Sequence, residues 1–417
     1  MAHLLIIELP GGNDFDILQA ALNRGHTVTF LTCDLSTYLK QEQIKHYLDH
    51  VQGLIEVEDF VFETVVAQVL AAHHSLRIDA VICLIEIRLL EASKLATVLN
   101  THHLNLNSAV LLRDKFNVRR RLADKGILQP DFALATTTEE IKSAIQSLGL
   151  PLLIKPSDGY GSQNVVVLQT DLDLDPLHSP IEIMLPSRAD YGLGVKANDR
   201  LLVERYMKGV LIGVDTLSIN GIHKLLGVHE KQMLEPPSFA IQGGCFTPRS
   251  NAHAEIEKYV FSILDSVEFN SGAAHIELML TVDGPRLIEI NPRLVGAKIA
   301  RVVGYALGRS VYEDLIDVHL GIWPVEQMST HAPKVTAIRW FTSTLAGTIK
   351  SITPPLWSDT NIKCVEFLKN VGQHVQPAFE NSDRFGYVIA CGETPELATA
   401  IAQKYMDDTD ILIVDVN

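Results

Sequence analysis

The feature that most constrains this chain is a stretch of alternating apolar and polar residues, HIELMLTVDGPRLIEINPRLVG, at positions 275–296. The alternation predicts two short strands joined by a three-residue loop, Val282–Gly284, whose glycine supplies the positive φ that such a loop requires. A loop centred on Asp283 makes Glu277 and Glu289 direct neighbours across the two strands. A hairpin with two opposed acids is therefore expected.

The period of two along each strand predicts a polar face and a core face for this hairpin. The polar face would carry His275, Glu277, Met279, Leu287, Glu289 and Asn291, and the core face Ile276, Leu278, Leu280, Ile288 and Ile290. Like charges directly opposite each other destabilise a strand pair, so we interpret the two acids and Asn291 as ligands of a cation. Their hard oxygen atoms suit Mg²⁺, and the Arg293 guanidinium that follows is suited to bridging a phosphate.

Two alternatives to this interpretation of the hairpin stay open. One is a solvent-facing strand pair with scattered acids and no ligand. The other is a two-residue Asp-Gly turn, which would shift the register by one residue and place the two carboxylates on opposite faces.

The size and charge of the chain narrow its class. Its 417 residues allow two or three domains, and 47% apolar composition is sufficient for sizeable cores. A formal net charge of −15 argues against general binding to nucleic acid or to an anionic membrane. No stretch approaches a membrane span, and the first strand, LLIIEL, has no basic leader before it, so a cytoplasmic location is expected. The five cysteines are widely scattered, which indicates neither a disulfide framework nor a zinc site.

Strand and helix signals alternate from residue 3 to about residue 112, which predicts an α/β domain with a doubly wound parallel sheet. The turn after the first strand, Pro10–Asn13, lacks the GxGxxG spacing of a dinucleotide site and is interpreted as a tight strand-to-helix connection. A basic helix from Arg113 begins a different region. The predicted domains are 1–112, then 113–206 with a small lobe, 207–325 with the acidic hairpin, and a strand-rich unit at 326–417.

A second motif follows a lysine at the end of an apolar strand. Lys155 precedes the segment SDGYGSQN, residues 157–164, in which two glycines and small polar residues let backbone N–H groups approach an anion. This composition is typical of a flap over phosphate groups, although a plain hairpin loop has the same composition. A further strand ends at Glu204–Met207, where an extended backbone edge would suit an adenine ring.

These segments together resemble a known family. Lys115 on the basic helix, Lys155 before the glycine-rich loop, the segment ERYM at 204–207 and the hairpin with Asn-Pro-Arg occur in the order and approximate spacing of the ATP-grasp ligases. Within them, the hairpin resembles that of the L-amino-acid ligases of the bacilysin and dapdiamide type. The resemblance implies an ATP-grasp fold with α+β ATP-binding lobes, and the use of ATP and Mg²⁺, with Mn²⁺ as an alternative ion.

The resemblance also implies roles for individual residues. Lys115 and Lys155 would contact the ATP phosphates and adenine, the flap residues Ser157, Gly159, Tyr160, Gly161 and Ser162 would cover the phosphates, and Glu204, Arg205, Tyr206 and Met207 would hold adenine. Mg²⁺ would bind Glu277, Glu289 and Asn291, while Arg293 would stabilise the transferring phosphate and His275 would face the substrate. His229, Lys231 and Arg249 lie in the expected substrate segment, and Arg249 is expected to bind a carboxylate. Leu211 stands where many relatives carry a ribose-binding glutamate.

The implied activity is ATP-dependent formation of an amide between two amino acids, or between an amino-acid-like acid and an amino acid. The route is an acyl phosphate with release of ADP and phosphate. The expected partners are small-molecule substrates, and a homodimer is the family habit. Three alternatives remain: an ATP-grasp carboxylase that activates bicarbonate, which the segment DRFGY at 383–387 also resembles; a dinucleotide-dependent oxidoreductase; and a nucleotide sensor without catalysis.

Overall fold

The structure is a computed structural model that describes residues 1–9, 15–159, 164–170, 190–193, 195–196, 198–234, 240–325 and 334–414. The predicted turn Pro10–Asn13 and the flap residues Tyr160, Gly161 and Ser162 lie outside these ranges. Among the helices within them, none has the length and apolar character needed to cross a bilayer.

The N-terminal domain is built on four parallel strands. These are β1 (His3–Ile7), β2 (Thr27–Thr32), β3 (Gly53–Glu56) and β4 (Ala80–Cys83), in the order β3-β2-β1-β4. Its helices are α1 (Asp16–Asn23), α2 (Leu35–Leu39), α3 (Glu42–Leu48), α4 (Phe62–Ser75), α5 (Leu89–Leu99) and α6 (Leu106–Leu112). Every residue of β1 is buried, with Leu4 and Ile6 in one core and Leu5 and Ile7 in another. The predicted doubly wound sheet is thus confirmed.

A small antiparallel sheet follows. Its strands are β5 (Phe132–Ala135), β6 (Leu152–Pro156), β7 (Val166–Leu168) and β10 (Leu201–Arg205), in the order β5-β10-β6-β7; β8 (Asp190–Gly192) and β9 (Val195–Lys196) pair separately. The helix α8 (Thr138–Leu148) packs Ile141 and Ala144 into the core of this sheet. The basic helix α7 (Lys115–Asp124) begins at Asp114, whose side chain accepts a hydrogen bond from the backbone N–H of Asn117. This cap places Lys115 in the first turn.

The largest sheet has eight antiparallel strands. They are β11 (Val210–Ile219), β12 (Ile222–Met233), β13 (Ile241–Pro248), β14 (Gly272–Thr281), β15 (Gly284–Asn291), β16 (Val335–Phe341), β18 (Ile362–Phe367) and β20 (Gly386–Gly392), in the order β15-β14-β11-β12-β13-β16-β20-β18. The predicted boundary at residue 326 therefore separates segments whose strands share one sheet. A three-stranded sheet holds β17 (Gly347–Thr353), β19 (His374–Val375) and β21 (Asp410–Val414).

Helices on the large sheet decide which face is free for a site. The helix α9 (Ala254–Ser266) packs Val260, Ile263 and Leu264 against the apolar residues of β11 and β14. Because side chains alternate along a strand, the opposite face of the same strands presents their polar residues. The remaining helices are α10 (Ile299–Leu307), α11 (Val311–His319) and α12 (Pro395–Asp407).

The acidic hairpin, β14 and β15, has the predicted pairing of acids with a different loop. Glu277 lies opposite Glu289. The loop contains two residues, Val282 and Asp283, because the residues on either side of them are paired; the predicted three-residue loop is therefore wrong. Gly284 does take a positive φ, of 98°.

A bulge explains how a shorter loop keeps the carboxylates together. After the pair of Glu277 and Glu289, the register shifts so that Leu278 lies opposite Leu287, leaving Ile288 as an extra residue. Leu287 is fully buried in the core, whereas Ile288 is partly exposed. The faces predicted for Leu287 and Ile288 are thus wrong, while the predicted pairing of the acids is confirmed.

Candidate active site

Each acid of the hairpin has a lysine beside it. Glu277 accepts a hydrogen bond from the Lys231 ammonium group at 2.5 Å, and Glu289 is paired with Lys115 at 2.8 Å. Burial alone would raise the pKa of Glu277, but the Lys231 charge and the contact with His275 hold that pKa well below its usual range. Lys231 comes from the large sheet and Lys115 from α7, so the two acids connect two parts of the fold.

The donor set of this hairpin fits a magnesium ion. Glu277 and Glu289 face each other across the strands, and Asn291 lies two residues further along β15, opposite His275. Two carboxylates and an amide supply hard oxygen atoms, and the remaining positions around Mg²⁺ are usually filled by water and phosphate. The neighbouring lysines would balance the charge of those phosphates.

Below Glu277 lies a buried network of one acid and two histidines. Asp215 accepts hydrogen bonds from His229 Nε2 and, at 2.8 Å, from His275 Nδ1. The other nitrogen of His275, Nε2, lies 3.7 Å from Glu277 Oε1. Burial acts to lower the pKa of His275, but Asp215 outweighs it and the pKa is raised; for His229 burial prevails and the pKa is lowered. Asp215 therefore orients His275 toward the metal-site acid.

A glycine makes room for this network. A Cβ atom on Gly213 would lie 2.5 Å from His275 Cε1, closer than non-bonded atoms approach. Gly213 is flanked by His229 on β12 and Glu277 on β14. The close approach of the imidazole to the strand thus requires glycine at this position.

The ligand atoms of Asp215, His229 and His275 lie within 4.8 Å of one another, which is close enough for a metal site. Both oxygens of Asp215 already accept hydrogen bonds from the imidazoles, however. We therefore interpret the three residues as a hydrogen-bond network that supports the hairpin.

A second buried ion cluster joins the small sheet to the hairpin. Glu204 is paired with Arg119 at 2.5 Å and with Lys155 at 2.8 Å. Arg119 also donates to the backbone carbonyls of Leu287 and Ile288, each at 2.9 Å. Burial favours a raised pKa for Glu204, but the two cations lower it. The Glu204 side chain is fully engaged in this cluster, so a nucleotide beside it would contact the neighbouring backbone.

The other described residues that are expected to bind the nucleotide lie on the segments next to this ion cluster. Ser157 is buried, and its carbonyl accepts from the backbone N–H of Lys115 at 2.7 Å. The Lys115 ammonium group donates to the carbonyl of Gly159. After Glu204, Arg205 forms an exposed pair with Asp131, and the exposed Tyr206 and the partly buried Met207 continue the connector.

The two arginines predicted for catalysis lie in different places in the structure. Arg293 stays at the hairpin, where its guanidinium group lies 3.5 Å from Asn291 Oδ1 and 3.7 Å from Glu86 Oε2. Arg249 is half exposed and forms an ion pair with Glu257 at 3.0 Å. It follows the end of β13 and is not among the residues that line the cavity described below.

A cavity of about 240 Å³ extends from the hairpin along the polar face of the large sheet. Its lining includes Glu277, Glu289, Asn291, Arg293, His275, His229 and Lys231, and also Trp340, Asn381 and Arg384. Trp340 lies on β16, the fourth strand from β14 in the sheet, and Arg384 precedes the next strand, β20. Leu211, where the resemblance led us to expect a ribose-binding acid, is also part of the wall. The acidic hairpin with its neighbouring cations and the Arg384 side chain therefore line the same cavity.

Two family models match this chain. That of the ATP-grasp domain matches residues 148–301, which include Lys155, Glu204 and the acidic hairpin. That of the L-amino acid ligase C-terminal domain 2 matches residues 339–414, which include Trp340 and Arg384. The matched segments meet at the cavity.

Similar proteins of known sequence cover most of the chain. An L-arginine-specific L-amino acid ligase of Bacillus subtilis is 23% identical over 372 residues, which are 86% of this chain and 87% of that protein. A protein of Sinorhizobium fredii called y4rH is 25% identical over 307 residues, 70% of this chain, but the match spans only 59% of its length.

Similar structures confirm the fold. The crystal structure of an L-amino acid ligase from Bacillus licheniformis superposes with a TM-score of 0.79 at 20% identity, covering 100% of this chain and 99% of that one. The biotin carboxylase domain of a Hydrogenobacter thermophilus 2-oxoglutarate carboxylase, solved with magnesium ADP and bicarbonate, has a TM-score of 0.70 at 13% identity and covers 99% and 91%.

The two matches show that this chain is an enzyme with an ATP-grasp domain followed by an L-amino acid ligase C-terminal domain 2. It resembles the L-amino acid ligases, whose C-terminal domain it carries.

Sequence reasoning missed Arg119 and Asp215. Arg119 stands in a run of three arginines, and only the helical spacing of Lys115, Arg119 and Leu122 indicates which of them faces inward. Asp215 lies on the same face of β11 as Gly213, which stands two residues earlier. Because β11 is otherwise mostly apolar, the sequence reads as a buried strand, and this single acid is easily overlooked.

Proposed function

We propose that this protein is an ATP-dependent carboxylate–amine ligase that joins two amino acids, or an amino-acid-like acid and an amino acid, through an acyl phosphate. An oxygen of the substrate carboxylate attacks the γ-phosphorus of ATP, and the bond to ADP breaks. The amine of the second substrate then attacks the acyl carbon, loses a proton, and displaces phosphate to leave an amide.

The observation that carries this proposal is the convergence of opposed acids and cations at one side of a cavity. Glu277 and Glu289 are paired with Lys231 and Lys115, and Arg293 lies beside them. Such an arrangement stabilises charge that spreads over phosphoryl oxygens during transfer.

Individual residues have separate tasks in this proposal. Glu277, Glu289 and Asn291 would hold Mg²⁺, or Mn²⁺ in its place, which supplies positive charge to the phosphoryl oxygens. Lys115 and Lys155 would bind phosphate oxygens, since each lies at the end of a helix or strand that borders the glycine-rich segment. Arg293 would contact the transferred phosphoryl group with two parallel donors.

The network below the hairpin gives His275 a positioning role. Its Nδ1 is fixed by Asp215, and its Nε2 faces Glu277. His275 therefore restricts the orientation of the Glu277 carboxylate. The network is buried, with His275 only 3% exposed, so it also limits the access of water to the hairpin site from the interior of the sheet.

A product assay tests this function. The protein is incubated with ATP, Mg²⁺ and pairs of amino acids, and ADP, phosphate and amide are each quantified. Equal amounts of all three are expected for an accepted pair. AMP and pyrophosphate as main products would contradict the acyl phosphate.

The same assay with bicarbonate in place of one amino acid separates the ligase from a carboxylase. The match to the L-amino acid ligase C-terminal domain favours amide formation. ADP release that requires bicarbonate, without any amide, would favour the carboxylase. ATP binding without ADP release under every condition would favour a nucleotide sensor.

A further inference from the structure

The part of the cavity lining that lies farthest from the hairpin in the sheet, on β16 and just before β20, includes a buried arginine, Arg384. Among the described residues, this arginine has no acidic partner. Arg384 is 9% exposed and precedes β20. Its Nε donates to the carbonyl of Asn381 at 2.8 Å, and its guanidinium carbon lies 3.8 Å from the ring centre of Trp340. Across the described residues, no carboxylate forms an ion pair with it.

Two other buried arginines have side-chain partners. Arg119 is paired with Glu204. Arg339, which precedes Trp340 on β16, donates to the side chains of Gln232 and Gln403. Burial lowers the pKa of Arg339, and it lowers the pKa of Arg384 to about 10. A buried cation in this state gains most from an added carboxylate.

Trp340 provides a second donor on the same wall. Its side chain is 2% exposed, and its indole N–H has no hydrogen-bond acceptor among the residues that the structure describes. Buried indole N–H groups usually have an acceptor. Arg384 and Trp340 thus both line the cavity and both carry donors, and a carboxylate has the acceptor oxygens for both.

We propose that Arg384 and Trp340 bind the α-carboxylate of the amino acid that supplies the amine. This assignment rests on the proposed ligase function. The carboxylate that is phosphorylated must lie at the hairpin, near Arg293, so a carboxylate at the other side of the cavity belongs to the second substrate. The site would select amino acids with a free carboxylate over simple amines, and it would orient the amino group toward the acyl phosphate.

The test compares an accepted amino acid with its primary α-amide, which has nearly the same shape and no negative charge. For the unaltered protein we expect kcat/KM to favour the free acid by about 100-fold, as for a buried charge pair. Arg384→Met should remove most of this preference while the KM values for ATP and for the phosphorylated acid change by less than about 3-fold. Comparing the two proteins cancels the difference in amine basicity between the substrates.

The matched control is Arg339→Met, which removes a buried guanidinium group from the neighbouring position of β16 and should keep the preference. Arg384→Lys should keep part of it, since the charge remains but the planar fork is lost. If Arg384→Met does not fold, Trp340→Phe serves instead, with an expected loss of about 5-fold from removing one donor. An unchanged preference in whichever of these two variants folds would overturn the proposal.

Two further measurements distinguish a side-chain carboxylate site from the proposed site, and a failure of the ligase function from a failure of the carboxylate site. If Arg384→Met alters the preference for glutamate over glutamine but not for the free acid over its α-amide, the arginine binds a side-chain carboxylate and the proposal is wrong. If no pair of amino acids yields amide, the ligase function itself fails. Calorimetric titration of the free acid and the α-amide into both proteins then still decides the carboxylate site, with weaker binding of the acid to Arg384→Met expected.

Discussion

Replacement of Asp215 by asparagine is expected to lower the free energy of unfolding by about 3 kcal/mol. Both carboxylate oxygens of Asp215 accept hydrogen bonds from buried imidazoles, and the residue is 2% exposed. Asparagine keeps one acceptor oxygen and turns an NH₂ group toward the other imidazole. One charge-assisted bond of about 1.5–3 kcal/mol is lost, and an unpaired buried donor adds about 1 kcal/mol.

The assay is urea unfolding at neutral pH, with Asp314→Asn as the matched control. Asp314 is also buried, at 4% exposure, but its carboxylate pairs with Arg309 at 2.7 Å, and burial raises its pKa. Neutralising it should cost about 1 kcal/mol. A loss below about 1 kcal/mol for Asp215→Asn, or equal losses for both variants, would refute the reasoning that Asp215 is the charged centre of the network.

Three more predictions follow from the same geometry. Arg293→Ala should lower kcat by about 100-fold with a much smaller change in the KM for ATP, because its contact strengthens as phosphoryl charge spreads; steady-state kinetics with a normal kcat would oppose this role. Gly213→Ala should lower the melting temperature and the rate of amide formation, because the new Cβ would lie 2.5 Å from His275 Cε1; wild-type values for both would show that the ring moves freely. Burial lowers the pKa of His103 to about 4 and that of His319 to about 3, so the folded state resists protonation while the unfolded state accepts it. Each of these two histidines should therefore lower the stability by about 1.4 kcal/mol between pH 7.5 and 5.5, and His319→Gln should reduce the total loss in unfolding measurements by about 1.4 kcal/mol.

The parts of the site with strict periodicity could be predicted from the sequence. The pairing of Glu277 with Glu289 was predicted from alternation on both strands together with a loop centred on Asp283. The loop and the position of Ile288 could not be predicted, because a shorter turn and a bulge compensate each other and leave the acids in register.

The fold was predictable where apolar patterns were long. The parallel, doubly wound character of the N-terminal sheet and the presence of a basic helix around Lys115 follow from such patterns. The strand β13 was not predicted, so the sequence could not indicate where Arg249 lies relative to the sheet. The structure places Arg249 just beyond the end of that strand. Contacts between distant segments, such as Arg119 with Glu204, 85 residues apart, leave no local signal.

The most direct test of the account is the fate of the oxygen atoms of the substrate carboxylate. An amino acid labelled with ¹⁸O at both carboxylate oxygens is supplied with ATP, Mg²⁺ and the second amino acid, and the products are analysed by mass spectrometry. If the carboxylate attacks the γ-phosphorus, each amide formed releases one phosphate with a single ¹⁸O atom and retains the other ¹⁸O. Glu289→Gln should abolish this transfer, while Glu268→Gln, at a glutamate whose side chain is 67% exposed, should leave it unchanged. Label in AMP, or unlabelled phosphate accompanying labelled amide, would contradict the account.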